Sequence, residues 1–283
     1  MSLLVFGRTG QVATELRDLT DVRALGRDQA DLSNPAACAE AIQAYNPRAV
    51  INAVAYTGVD QAEREEAIAT VINGDSPGVM ARACAALDIP FVHVSTDYVF
   101  AGTGTRAWTP EDKPSPQNAY GRSKLAGEEA VRAAGGRHAI LRTSWVFSAH
   151  GGNFVKTMLR LSQTRDRLSV VDDQIGGPTP ACAIAAACLS ITDQLARDRA
   201  KTGIYHFSGA PDISWYGFAT AIFSTAARDI AVTPISTKDY PTPAARPLNS
   251  RLDCRRTEQV FGLSRPDWQS ALWDVIRELE SQT

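Results

Sequence analysis

The sequence predicts an α/β protein: a doubly wound parallel sheet with a smaller, interleaved lobe. Three observations predict it. Through the first 145 residues, short apolar runs alternate with helical segments. The runs carry Val, Ile, Leu, Phe and Ala at successive positions, as strands buried on both faces do. The first run passes directly into a glycine turn that opens a helix.

Taken in order, residues 3–6 read as the first strand and 11–18 as the first helix. Residues 22–25 form the second strand. The helix over 35–45 has Ser33 or Asn34 to cap it and Pro35 in its first turn, where a missing N–H costs nothing. Strands follow at 49–54, 91–94 and 138–141, with helices at 76–87 and 119–134. Residues 101–118, rich in Gly, Pro, Thr and Ser, read as a long loop after a strand end, and such loops in compact domains are usually functional. Beyond residue 145 the pattern loosens, with helices at 153–164, 181–196, 215–227 and 268–279 and strands near 168–171 and 204–207. Pro241, Pro243 and Pro247 make 240–249 an extended loop. The chain divides into a dinucleotide-type domain over 1–148 and a mainly substrate-binding lobe over 149–283, parts of which return to the main sheet.

Composition narrows the function classes. With 44% hydrophobic and 21% charged residues, the chain is neither disordered, fibrous nor a small disulfide scaffold. Twenty-nine basic residues against 31 acidic ones, with no basic cluster, argue against nucleic acid or an anionic membrane as partner. The longest apolar run, 181–189, is far short of the ~20 residues a spanning helix needs. The N-terminus has no basic region or cleavage site ahead of its first strand, so no signal peptide is expected. An odd set of five cysteines (38, 84, 182, 188 and 254) without a CxxC pair fits a reducing cytoplasm.

The first chemical motif is Gly7-Arg8-Thr9-Gly10-Gln11-Val12-Ala13. Glycines here let the backbone approach a pyrophosphate, which the free N–H groups of a helix N-terminus favour. Any tight turn attracts glycine. Placement after the first strand of an alternating fold is what favours a Rossmann-like dinucleotide site over a plain turn. Gly7, Gly10, Gln11 and Val12 would hold the pyrophosphate, and Ala13 takes the place of a third glycine. At the end of the second strand, Gly26 stands where an NAD site carries a carboxylate for the ribose 2′-hydroxyl. Arg27 can instead pair a 2′-phosphate, or be a plain solvated residue. The pattern points to NADPH, with NADH the alternative. Asp31 and Leu32 would flank the adenine edge.

The second motif is Tyr120-Gly121-Arg122-Ser123-Lys124. Residues i and i+4 share a helix face, and a tyrosine near its reference pKa of about 10 needs a nearby cation to work as an acid–base group at neutral pH. Lys124 is placed to supply that cation and to reach a cofactor ribose. Thr96, in Ser95-Thr96-Asp97-Tyr98, follows the fourth strand at the carboxyl edge where ligands bind in such sheets. Alone it reads as a strand-end cap; with Tyr120 and Lys124 downstream it reads as a hydroxyl that orients a carbonyl. The four histidines lack metal-ligand spacing and read as packing or surface, and 63–66 reads as a solvated charged helix face. Trp145 reads either as core or as a stacking platform beside the cleft.

In this order of motifs the chain resembles the extended short-chain dehydrogenase/reductases, and within them it is similar to the dTDP-4-dehydrorhamnose reductase family. The stretches that carry the likeness are 6–12, 52–60, 95–100, 118–128, 142–147, 153–154, 173–179 and 240–247. The resemblance implies that Thr96, Tyr120 and Lys124 are catalytic, that Ala53 and Ala55 line the cofactor, and that Thr57, Val59, Thr96, Tyr98, Tyr120 and Trp145 line a nucleotide-sugar cleft. It implies NADPH-dependent reduction of the 4-keto group of dTDP-4-dehydro-L-rhamnose to dTDP-L-rhamnose for cell-surface polysaccharide, by a monomer or homodimer. The chain departs from the family at Ala13, Gly26 and Gly58. The Mg²⁺ that some members hold at an acidic dimer contact finds only Glu15 as a counterpart, so no metal is expected. The rivals are a nucleotide-sugar epimerase or dehydratase, which would keep its NAD bound, and a non-catalytic cofactor-binding subunit. Retention of Thr96, Tyr120 and Lys124 weighs against the latter.

Overall fold

The computed structural model describes residues 2–281. Strand β1 (Leu3–Phe6) is buried on both faces: Leu3 and Val5 enter the core on one side of the sheet, Leu4 and Phe6 the core on the other. Helix α1 (Gln11–Leu19), β2 (Val22–Leu25), α2 (Pro35–Tyr45) and β3 (Ala49–Asn52) follow. Asn34 caps α2 by accepting the Ala37 N–H at 3.4 Å. Helices α3 (Val59–Ala62) and α4 (Glu66–Thr70), a π-helical turn (Val71–Asp75) and α5 (Ser76–Ala86) lead to β4 (Phe91–Thr96). Helix α6 (Ala119–Ala133) and β5 (His138–Thr143) complete the first half.

The second half runs β6 (Val146–Phe147), α7 (Phe154–Leu161), β7 (Arg167–Val171), β8 (Ile175–Gly176), β9 (Thr179–Pro180), α8 (Ala181–Arg197) and β10 (Gly203–His206). It ends with β11 (Ile213–Ser214), α9 (Trp215–Thr225), β12 (Ala231–Ile235), β13 (Asn249–Ser250), α10 (Arg255–Phe261) and α11 (Trp268–Ser281).

The main sheet has the order β2-β1-β3-β4-β5-β10, and every pairing is parallel. Its winding reverses between β1 and β3, which opens a crevice at the carboxyl ends of those strands, where ligands bind in this architecture. One face carries α1 and α8, through Leu16, Ile184, Cys188 and Ile191; the other carries α2 and α5, through Cys38, Ile42 and Met80. Late segments thus return to the early sheet: α8 covers it and β10 extends it. A separate core, centred on Phe218 and Trp268, joins α7, α9, α11 and the parallel pair β7–β12. No helix among the described residues is long and apolar enough to cross a membrane.

Several boundaries differ from expectation for local reasons. Strand β3 stops at Asn52 rather than residue 54, because the Asn52 side chain accepts the Val54 N–H (3.1 Å) and turns the chain into the crevice. Strands β4 and β5 run two residues past expectation, paired in register to Thr96 and Thr143. Asn153, expected inside a helix, is the cap of α7 and accepts the Lys156 N–H at 3.1 Å. Helices α3 and α4 are too short to show a helical period, and β12 contains Pro234, which an edge position tolerates.

Candidate active site

All the residues expected at the site, from Gly7 to Trp145, line a single cleft of about 1040 Å³ at the carboxyl edge of the sheet. At one end Gly7 has φ +119°, and a Cβ there would lie 3.0 Å from Ala13 Cβ and 3.2 Å from Val54 Cγ2. The turn therefore needs glycine, and Ala13 works as a small neighbour. Gly10 caps α1 and faces open space within 4 Å, and the first turn of α1 has no acidic residue. A backbone cradle with free helical N–H groups and no competing carboxylate fits a pyrophosphate. Gln11 offers this cradle its backbone alone. Its side chain is drawn away, with Oε1 accepting from Asn153 (2.9 Å) and Ser148 (3.2 Å).

Gly26 itself brings no carboxylate to the second strand end; the space beside it is shared by the Asp28 carboxylate and by Arg8, which sequence reasoning passed over. Its guanidinium carbon would lie 3.2 Å from a Cβ at Gly26. Arg8 also pairs with Asp28 at 3.5 Å, both side chains well exposed. With exposed Arg27 beside them, this end of the cleft presents two guanidinium groups. Asp31 is engaged locally: its carboxylate accepts the Ser33 N–H (2.9 Å), a bond that holds it below the usual carboxylate range.

At the other end Thr96 closes β4. Its hydroxyl donates to Asp97 Oδ1 (3.1 Å) and accepts the Tyr98 N–H (3.2 Å). Asp97 is buried, its Oδ2 lacks a partner, and burial pushes its carboxyl up to about 6. Tyr120 lies on the first turn of α6, whose cap Asn118 accepts the Gly121 N–H (2.7 Å) and donates to the Ala245 carbonyl (2.8 Å). Burial pushes the Tyr120 phenol up to about 12; a hydrogen bond with Thr96 opposes this and the Asp97 charge adds to it. Lys124 is buried on the same helix, and burial lowers it to about 8. Its Nζ donates to the Val94 carbonyl at 2.7 Å and lies 3.4 Å from His93 Nε2.

Two supports hold this end together. The π-helical turn presents Asn73, which accepts the Tyr56 N–H (2.8 Å) and donates to the Tyr56 carbonyl (3.1 Å) and to Ser123 Oγ (2.9 Å), tying the loop after β3 to α6. Arg142 of β5 donates two bonds to Glu128 of α6, at 2.6 and 2.9 Å, and Ser95 adds a third at 2.6 Å. The 63–66 stretch is also less idle than a solvated face. Glu63 accepts the Ala119 N–H at 2.8 Å, and Glu66 takes two bonds from Arg122 at 2.7 and 2.8 Å. The two glutamates meet α6 only in the folded chain, which charge patterning alone does not show.

Trp145 has φ 50° and stacks on Trp215, ring centroids 3.5 Å apart and planes within 11°. It forms a half-buried wall of the cleft. Gly176 seats it: a Cβ there would lie 2.9 Å from the Trp145 ring and 2.9 Å from Ser250 Cβ. Among the described residues no group of three or more His, Cys, Asp or Glu is arranged to hold a metal.

The model of the RmlD substrate binding domain matches residues 1–281. The dTDP-4-dehydrorhamnose reductase of Sinorhizobium fredii is 42% identical, over 98% of this chain and 99% of that protein. That of Burkholderia thailandensis is 43% identical over the full length of both. Among solved structures, the dTDP-4-dehydrorhamnose reductase of Clostridium acetobutylicum superposes with a TM-score of 0.92 at 34% identity, over 99% of this chain and 100% of that one. The enzyme of Bacillus anthracis, solved in complex with NADP, superposes with a TM-score of 0.90 at 34% identity, over 98% of each chain.

Proposed function

The chain belongs to the dTDP-4-dehydrorhamnose reductase family, and from that premise we propose that it reduces the 4-keto group of dTDP-4-dehydro-L-rhamnose with NADPH, giving dTDP-L-rhamnose. The observation that carries the reading is one cleft with a glycine cradle and two arginines at one end and Thr96 beside Tyr120 at the other. Bound NADPH supplies the hydride to the keto carbon.

The chain's own residues do the rest. The Gly7–Gly10 turn and the N-terminus of α1 bind the pyrophosphate, while Arg8 and Arg27 face the 2′-phosphate beside Gly26. Thr96 orients the keto oxygen by hydrogen bonding, and Tyr120 delivers its phenolic proton to that oxygen as negative charge develops. A phenol pushed up to about 12 is protonated at neutral pH, as a proton donor must be. Lys124 holds the cofactor ribose and supplies positive charge as Tyr120 loses its proton. Trp145, stacked on Trp215, offers an apolar wall to the sugar; Thr57, Val59 and Tyr98 complete it. We take the lobe built on Phe218 and Trp268 as the substrate-binding lobe. Five unpaired thiols, four of them buried, fit a reducing compartment, and we infer a cytoplasmic enzyme.

The test is to mix the protein with dTDP-4-dehydro-L-rhamnose and NADPH. One NADPH is consumed per dTDP-L-rhamnose formed, with NADH the poorer donor. Tight retention of NAD, and turnover without added reductant, would overturn the reading in favour of an epimerase or dehydratase.

A further inference from the structure

Beneath the catalytic end of the cleft lies a buried polar chain that the reaction as described does not use. His93 of β4 is fully buried, its Nδ1 3.1 Å from Asn52 Nδ2 and its Nε2 3.4 Å from Lys124 Nζ. The Asn52 amide has one orientation open to it. Its Oδ1 accepts the Val54 N–H at 3.1 Å, so Nδ2, which can only donate, faces the imidazole. His93 Nδ1 must therefore accept. Burial alone keeps this ring neutral, well below the usual histidine range. A neutral ring that accepts at Nδ1 carries its proton on Nε2. That N–H points at Lys124 Nζ. It meets a lone pair when Lys124 is an amine and another N–H when Lys124 is an ammonium.

We propose that Asn52 and His93 are positioning residues that fix the imidazole proton on Nε2 and thereby favour the amine form of Lys124 in the ligand-free cleft. An arriving anion, such as the Tyr120 phenolate or a bound cofactor, then shifts Lys124 toward the ammonium form by pairing with it. The other groups around Nζ leave room for this control. Glu128, on the same helix, pulls toward the ammonium but is neutralised by its two bonds from Arg142. Tyr120, one turn earlier on α6, is a neutral phenol at rest. Burial already brings Lys124 to about 8, so an opposing N–H can decide its charge near neutral pH. The consequence for turnover rests on the reductase reading; the tautomer and the lysine titration do not.

The experiment is heteronuclear NMR of the full-length, cofactor-free protein, observing the His93 ring nitrogens and titrating Lys124. The expected wild-type state is a protonated Nε2 and a bare Nδ1; a proton on Nδ1 would overturn the proposal. Asn52→Asp keeps an acceptor for the Val54 N–H and offers another to Nδ1. It should move the ring proton to Nδ1, turn Nε2 into an acceptor and raise the Lys124 titration by about one pH unit. His93→Leu, which deletes the opposing N–H, should move the titration in the same direction. A Lys124 titration unmoved in both variants would also overturn it. Failure of the wild type to oxidise NADPH with the keto sugar would count against the reductase reading alone; the ring-nitrogen and lysine titrations would still decide the role of His93.

Discussion

Tyr98 holds Tyr120 edge-on, ring centroids 5.4 Å apart and planes at 76°. The contact keeps the Tyr120 phenol over Thr96 and Asp97, and Lys124 engages the strand instead. The cleft thus holds a neutral phenol, as the proposed proton donor must be, and the surrounding charges determine how stably it is held.

Asp97 is the first of these. Its folded value of about 6 lies above the ordinary 3.8, so between roughly pH 4 and 6 the folded state holds more protons than the unfolded one. Stability from this group is present at the acid end of that window and lost as pH rises through about 6. Asp97→Asn removes the penalty on the buried charge and should be the more stable form at pH 7, by up to about 3 kcal/mol. Urea denaturation across this range should show a flatter pH dependence in the variant; parallel curves would contradict it.

Glu128 and Arg142 form an ion pair with about 2% side-chain exposure on each member. Glu128→Gln leaves the Arg142 charge uncompensated and should cost about 3–5 kcal/mol in urea denaturation. Combining Glu128→Leu with Arg142→Met should recover most of that loss, because two apolar groups leave no buried charge behind.

Gly26 bears on cofactor choice. Gly26→Asp sets a second carboxylate beside that of Asp28, against Arg8 and in the path of a 2′-phosphate, and the exposed Asp28 side chain must shift to admit its Cβ. The ratio of kcat/KM for NADPH over NADH should fall at least tenfold, about 1.4 kcal/mol. An unchanged ratio would show that Arg8 and Arg27 do not read the phosphate.

Gly176 bears on the sugar. Gly176→Ala drives a methyl into the Trp145 ring and Ser250, at an overpacking cost of about 1–3 kcal/mol. Steady-state kinetics should show a raised KM for the keto sugar, with NADPH affinity unchanged.

Much of the fold and site was legible in the chain, and the reasons differ between its parts. Strands such as Leu3–Phe6 and helices such as Pro35–Tyr45 announce themselves because burial on two faces and a Pro-led cap leave local marks. Tyr120 and Lys124 stand out because one helical turn relates them. Arg8 was visible inside the glycine turn, but its relation to Gly26 depends on two strand ends lying side by side. Asn73, Trp215 and the Asn52–His93 pair left no local mark either. Each meets its partner across a large sequence separation, through a π-helical turn, a lobe contact or the strand register. The long loop at 101–118 was expected to be functional, and the cleft takes none of its residues.

The most direct test of the account is the turnover of Tyr120→Phe with NADPH and dTDP-4-dehydro-L-rhamnose. Removing one hydroxyl deletes the proton donor and leaves the glycine cradle, Arg8 and Arg27 in place. The account predicts a kcat lower by roughly 10²–10⁴-fold with NADPH affinity unchanged. A kcat equal to that of the wild type would contradict it.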